Sequence, residues 1–426
     1  MIQTDLSNIW GAVSLPDLLD GEKDLFDAHL QIQSDCADGP SFLEFLGSEK
    51  ALSQTLQTAG AAADAVRACS DTLVVLGTGG ISLGVQAALS LLPPALRTGK
   101  NAPLRVLFYG STLSEDSFLC LCDELEKQRF SILLLAPAME QMEVCLASRA
   151  LRWMAERRFG TEARQHVFVA APEGSPMSLM AQEEGFSLLP LSCPSGLESV
   201  LNAAALTVLD AAGVNIRAFA EGAAQAARDY DLRAFENPLW MYAGARRALE
   251  QKGKSGELLC SFCPEADAFG LWWQQLFLRR TCREGVGLLP LRGLYPAGLD
   301  GFESALSHRG SPFFETFLQF SSAATRTVNV EMDWKDYDGL GYLSGKTLRD
   351  VRTAFSQALA QTHAELDIPM ILLSVPGRGE RELGGLFYFF ELSAALCAVS
   401  SGLFPFELCP SEVRECAAQL LGKPQT

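Results

Sequence analysis

The stretch DTLVVLGTGGISLGVQAALSLL, residues 71–92, decides the fold. Asp71 to Leu76 is a short, mostly apolar run with β-branched residues, which reads as a buried strand. Gly77-Thr78-Gly79-Gly80 turns the chain, and the rest follows a helical pattern. The same unit recurs on either side. Leu104 to Phe108 reads as a strand, followed by Gly110-Ser111-Thr112 and a helix around Leu119 to Glu126. Phe130 to Leu135 is a third strand, leading into a helix through Arg149 to Arg157, and His166 to Ala170 is a fourth. Alternation of this kind predicts a parallel sheet covered by helices on both faces.

The pattern restarts further on. Ala203 to Ala227 is helical and alanine-rich, broken near Gly213. Asn237 to Gln251 reads as a helix, Gly256 to Phe262 as a strand, and Phe269 to Leu278 as a helix. Strands are expected over Gly287 to Leu291 and Ile368 to Val375, and a long apolar helix over Gly385 to Ser400. The first sixty residues read as helices and turns, with a break at Gly39-Pro40. The expected organisation is two doubly wound domains: residues 1–210, a helical arm plus the first sheet, and residues 211–426, the second sheet with C-terminal helices. A chain of 426 residues is too long for one ordinary core.

Composition narrows the function classes. The chain is 48% hydrophobic and 20% charged, which fits a globular protein and excludes disorder. A formal net charge of -17 repels phosphate backbones, so no nucleic acid is expected as partner. No run approaches the roughly 20 apolar residues of a membrane helix, so no membrane is expected either. The start carries acids early and no basic stretch, which reads as a cytoplasmic protein rather than a secretory leader. Twelve cysteines are scattered, with one CxxC at Cys260 and Cys263, and the four histidines (His29, His166, His308 and His363) are far apart. Buried thiols are expected there, with no metal and no cofactor.

Several segments in order resemble the phosphoglucose isomerase family. They are LVVLGTGGISLGVQAA at 73–88, GVNIRAFAEGAAQAARDYDLRAFENPLWMYAGARRAL at 213–249, GLWWQQLF at 270–277 and GSPFFETFLQF at 310–320. GLGYLSGKTL at 339–348, the apolar run at 383–407 and LLGKP at 420–424 continue the match. The resemblance implies two sugar-isomerase (SIS-type) domains, each a three-layer α/β/α sandwich with a doubly wound parallel sheet. It also implies a homodimer, with the active site in a cleft between domains. The family reaction interconverts glucose 6-phosphate and fructose 6-phosphate through an enediol. It needs a carboxylate to move a proton between carbons, an acid–base pair for ring opening, and donors for a dianionic phosphate.

Here the chain departs from that pattern. The family's catalytic glutamate, just after the tryptophan-rich helix, falls on Arg279, whose pKa above about 12 bars it from acting as a base. The ring-opening histidine falls on Asp300, the catalytic lysine on Arg414, and a family arginine on Leu197. The hydroxyl-rich phosphate loop becomes Ala136-Pro137-Ala138-Met139-Glu140-Gln141, without a hydroxyl and with a proline lacking an amide donor. Only the glycine turn remains recognisable, so Gly77, Gly79, Gly80 and Ser82 are the expected substrate-binding residues. Arg279, Arg280 and Arg283 join them as a candidate anion site, the alternative being an ordinary basic helix end. Asp300, Glu303 and His308 lie close in sequence and offer an acid–base pair, or else a surface turn. The glycine turn itself is open to two readings, a tight turn or a phosphate cradle. Trp272-Trp273 and Phe387 to Phe390 read as core. Two functions stand open: an isomerase acting on glucose 6-phosphate or another phosphosugar, and a non-catalytic relative that binds a small phosphosugar or other anion. Glu284 standing where the glutamate belongs would favour the first.

Overall fold

The protein is described by a computed structural model covering residues 1–38, 46, 48–135, 141–191, 199–283, 285–308, 310–321, 326–403 and 411–423. In chain order its elements begin with β1 (Gln3–Asn8), α1 (Leu15–Asp20), α2 (Glu22–Asp38), α3 (Glu49–Cys69), β2 (Thr72–Leu76) and α4 (Gly80–Leu91). There follow β3 (Arg105–Tyr109), α5 (Glu115–Leu125), β4 (Phe130–Leu135), α6 (Met142–Phe159), β5 (Val167–Pro172), α7 (Pro176–Glu184) and β6 (Ser187–Leu191). Next come α8 (Ala203–Ala211), α9 (Ile216–Asp229), α10 (Pro238–Gln251), β7 (Gly256–Ser261), α11 (Asp267–Thr281), β8 (Leu289–Leu294) and α12 (Leu299–Leu306). The last are β9 (Phe313–Phe320), α13 (Leu348–Glu365), β10 (Met370–Val375), α14 (Glu380–Ser400) and α15 (Glu412–Leu420).

These elements make two compact units that are discontinuous in sequence. One comprises Gln31–Leu89, Pro93–Ala220 and Gly402–Thr426, the other Met1–Leu30, Ser90–Leu92 and Glu221–Ser401. The expected division into contiguous halves at 210 differs from this at both chain ends. The start of the chain is a strand, not a helix or turn, and β1 pairs antiparallel with β10, Gln3 opposite Ser374 and Asp5 opposite Leu372. Its alternating burial, with Thr4 and Leu6 inside, fits a half-buried edge strand.

The first of these units holds a five-stranded parallel sheet in the order β3-β2-β4-β5-β6. β2 and β4 are buried along their whole length, which explains why they read as unbroken apolar runs. Helices α5, α6 and α7 pack Leu121, Leu125, Val144, Leu151 and Ala181 on one face. α3 and α8 contact the strands and each other, completing the third layer.

The second unit has the order β1-β10-β9-β7-β8, parallel except for β1. α12 and α13 cover one face, with Leu306 and Leu359 against Leu258, Phe317 and Met370. On the other face α10, α11 and α14 enclose an aromatic core. Tyr242 stands edge-on to Phe277 and Phe390, and Trp272 edge-on to Phe387, so both tryptophans and the Phe387–Phe390 run are packing residues as read. α14 is the one helix among the described residues long and apolar enough to cross a membrane. Here 78% of its apolar window is buried inside the unit.

That aromatic core contains a buried ion pair. Arg246 Nε on α10 donates to Glu257 Oε2 on β7 at 2.5 Å. Tyr242 and Thr316 donate to Glu257 Oε1 at 2.8 and 2.6 Å. The guanidinium lies 4.1 Å from the Phe277 ring centroid and sends Nη1 to Cys397 Sγ at 3.2 Å. Removing one member of such a pair strands the other in the core. Arg246→Met is therefore expected to lower unfolding stability by about 3–5 kcal/mol in urea titration, with Arg246→Met/Glu257→Leu recovering most of the loss.

Candidate functional site

In a doubly wound sheet, ligands sit beyond the carboxyl ends of the strands where the crossover direction reverses. In the first unit the chain leaves β2 for β3 on one side, then returns to β4 on the other, so the reversal lies between β2 and β4. The glycine turn follows β2 at that point. The Gly77 N–H donates to the Tyr109 carbonyl at 2.9 Å, fastening the turn to the end of β3. Close packing explains two glycines. A Cβ on Gly77 would stand 3.1 Å from Leu135, and one on Gly110, whose φ is +121°, would stand 3.0 Å from the Gly77 nitrogen.

Helix α4 starts here, its first bond running from Leu83 N–H to the Gly79 carbonyl at 2.9 Å. The preceding amides, those of Gly80, Ile81 and Ser82, form a first turn without helical partners, a place that favours an anion. Gly79 is half-buried and Gly80 buried. Ser82 is buried too, and its hydroxyl oxygen accepts from Gln86 Nε2 at 3.3 Å. The Ser82 hydroxyl thus accepts within α4 and keeps its own O–H to donate.

Helix α6 begins beside the same crevice, Val144 lying against Gly110. Its first turn carries Glu143, which pairs bidentately with Arg414 on α15, Nη1 donating to Oε2 at 2.6 Å. The Arg414 guanidinium holds the Glu143 carboxyl below its usual range. Arg414, expected at the family's lysine position, thus belongs to the unit of the glycine turn and neutralises an acid there. Glu143 escaped the sequence reading because nothing local marks its partner 271 residues away. Leu197 and Ala136–Glu140 lie outside the described residues; Gln141 caps α6 without a side-chain bond.

In the second unit, the three arginines expected to cluster are not presented together. Successive helical residues point about 100° apart. Arg279 is exposed, while Arg280 is only 1% exposed and donates Nη1 to the Glu391 carbonyl of α14 at 3.2 Å. Arg283 folds back to the Arg279 carbonyl at 2.9 Å, satisfying an end carbonyl of α11. Arg283 thus caps the helix end, while Arg280 is held in the core. Glu284 lies outside the described residues. Asp300 is exposed in the first turn of α12, with Glu303 half-buried and His308 exposed. No hydrogen bond or ion pair joins them among the described residues, and the segment is a surface helix rather than a turn.

Another nucleophile–base arrangement proves structural. Ser70 Oγ lies 3.2 Å from His166 Nδ1, and 2.6 Å from Ser131 Oγ. Nδ1 is also 2.8 Å from the Phe130 carbonyl, which can only accept. The ring nitrogen facing Ser70 therefore carries the proton and is no base toward it. The CxxC thiols are both buried with separate neighbours, Cys263 donating to Glu265 Oε2 at 3.1 Å.

Two doubly wound parallel-sheet units, with a glycine turn and a helix start at a strand-order reversal, define a sugar-isomerase-type α/β protein. In sequence the chain is 30% identical over 371 residues to a glucose-6-phosphate isomerase of Bacillus cytotoxicus, spanning 85% of this chain and 82% of that one. It is 30% identical over 360 residues to one of Staphylococcus aureus strain Newman, spanning 83% and 81%. Among solved structures it superposes on a hypothetical protein from Thermus thermophilus with a TM-score of 0.83, at 16% identity over 99% of both chains. It superposes on a glucose-6-phosphate isomerase from Chlamydia trachomatis with a TM-score of 0.71, at 17% identity over 87% of this chain and 73% of the other. No model of a protein family matches the sequence. The chain belongs to the glucose-6-phosphate isomerase family.

Gly110→Ala is expected to cost about 1–3 kcal/mol, since its φ and its contact with Gly77 both exclude a side chain. Chemical denaturation checks this, and a cost below 0.5 kcal/mol (roughly the scale of a neutral surface change) would contradict the packing.

Proposed function

We propose that this chain is a sugar-phosphate isomerase relative whose glucose 6-phosphate activity is lost or altered, and that it binds a small phosphosugar or other anion at the Gly77–Gly80 turn. One observation carries the reading. The last turn of α11, where the resemblance puts the proton-shuttling glutamate, holds Arg279 and the buried Arg280 instead. A guanidinium does not take up a carbon-bound proton near neutral pH. Asp300 at the ring-opening position has no partner among the described residues of its own helix that would tune it as an acid or base, and Arg414 is engaged by Glu143. The amides at the start of α4 are the feature that supports retained anion binding.

Loss of a positioned general base typically costs about 10²–10⁴-fold in rate. Purified protein should therefore form glucose 6-phosphate from fructose 6-phosphate at least about 10²-fold more slowly than an intact family enzyme, in an assay coupled to glucose-6-phosphate dehydrogenase. Turnover at ordinary levels overturns the reading of lost activity, and rapid turnover of another phosphosugar shows altered specificity. Inorganic phosphate should bind in calorimetry, and Gly79→Asp, which puts a carboxylate at the α4 start, should weaken that binding while circular dichroism stays native.

We also propose a homodimer. Residues 326–347 form an arm closed at its base by the Asn329–Thr347 bridge and at its tip by Asp336, which accepts from the Gly341 N–H at 2.6 Å. It exposes Trp334 by 90%, Tyr337 by 86% and Tyr342 by 73%, an aromatic surface suited to a second copy of this chain. Light scattering should give twice the chain mass, and Trp334→Ser/Tyr337→Ser should shift the mass toward the monomer. A monomer for the unaltered chain would remove the proposal.

A further inference from the structure

The face of the second sheet opposite the Arg246–Glu257 pair carries another glutamate. Glu315 projects from β9 with 0% exposure, and His363 descends onto it from α13 with 1% exposure. Tyr295, just beyond β8, donates its hydroxyl to Glu315 Oε2 at 3.1 Å. His363 Nδ1 lies 3.4 Å from the same oxygen. Glu315 Oε1 and both His363 ring nitrogens make no hydrogen bond. No lysine or arginine among the described residues pairs with Glu315. The other titratable groups around the cluster are the Cys260 thiol on β7 and, at the sheet edge, exposed Asp5 on β1.

A bare carboxylate is not tolerated in such a place, because no countercharge offsets its lost hydration. An imidazole with neither nitrogen bonded is equally out of place as a cation. Both needs are met by one proton kept on the glutamate and directed at the imidazole lone pair. We propose that Glu315, His363 and Tyr295 form a buried proton-binding site, a neutral acid–imidazole pair that fastens α13 to the sheet and releases it when the proton is withdrawn at alkaline pH.

The pH response follows with a definite sign. Burial raises the Glu315 carboxyl from its usual 4.5 to about 8, and lowers the His363 imidazole from 6.5 to about 4. The stability contributed by Glu315 is full below 4.5 and is lost as pH rises through about 8. That contributed by His363 is present above 6.5 and is lost as pH falls toward about 4. Between 4.5 and 6.5 the two slopes oppose each other, so stability is level there and declines on the alkaline side. The consequence falls on α13, whose N-terminal residues continue directly from the arm at 326–347.

Infrared difference spectroscopy of the full chain should show the carbonyl stretch of a protonated carboxylic acid at pH 7, bleaching as pH rises through about 8. Glu315→Gln should abolish the band and the alkaline fall of the thermal midpoint. Hydrogen exchange, corrected for intrinsic rate, should accelerate selectively in residues 348–365 of the unaltered chain above that pH. Absence of the band at pH 7 overturns the proposal, as does its persistence in Glu315→Gln or an unchanged alkaline limb in that variant. The infrared measurement on the unaltered chain decides the matter even if the variant does not fold.

Discussion

The second unit depends on how one sheet accommodates a carboxylate on each of its faces. Glu257 and Glu315 sit on neighbouring strands, β7 and β9, with Glu257 opposite Phe314 and Leu258 opposite Glu315. Because side chains alternate, the two acids face opposite layers of helices. On one side Arg246 meets the charge, with Tyr242 and Thr316 completing the donors. On the other no cation is available among the described residues. The same residue type is therefore ion-paired with an arginine on one face and, in the proposal made above, kept neutral on the other. Glu257 ties α10 to the sheet by hydrogen bonds inside an otherwise apolar core, where an error of placement is heavily penalised.

Much of the first sheet was legible because its inner strands are buried on both faces and read as apolar runs. β4 matches Phe130 to Leu135 residue for residue, and the glycine turn lies where the strand order reverses. The strands that went unread are those whose residues carry a mixed signal. β1 is half-buried at an edge, with Asp5 and Ser7 breaking the apolar pattern. β6 contains Pro190, which local rules count against a strand, yet it is an edge strand where a missing amide is tolerated.

The surroundings of the candidate site divide between local backbone and distant side chains. Glycines at 77 and 110 mark a constriction whose cause is steric and local. The fate of Arg280, Ser82 and Arg414 depends on more than their neighbours in sequence: Glu391 for the first, the helical direction of α4 for the second, and Glu143 for the third. Sequence proximity suggested that Arg279, Arg280 and Arg283 act together, whereas helical geometry turns Arg280 into the core and leaves only Arg279 and Arg283 as neighbours. Family resemblance pointed to candidate positions, and the contacts each residue makes there come from the fold.

The pairing of β1 with β10 bears on how the chain comes into being. All strands of the first sheet lie between Thr72 and Leu191, so that sheet has its full complement of strands well before Met370–Val375 is made. The other cannot be completed so early, because Gln3–Asn8 must wait for Met370–Val375. At ordinary rates of translation this leaves a ready-made edge strand unmatched for on the order of tens of seconds. The polar residues that alternate along it, Gln3, Asp5 and Ser7, are of the kind that blunts an unpaired strand edge.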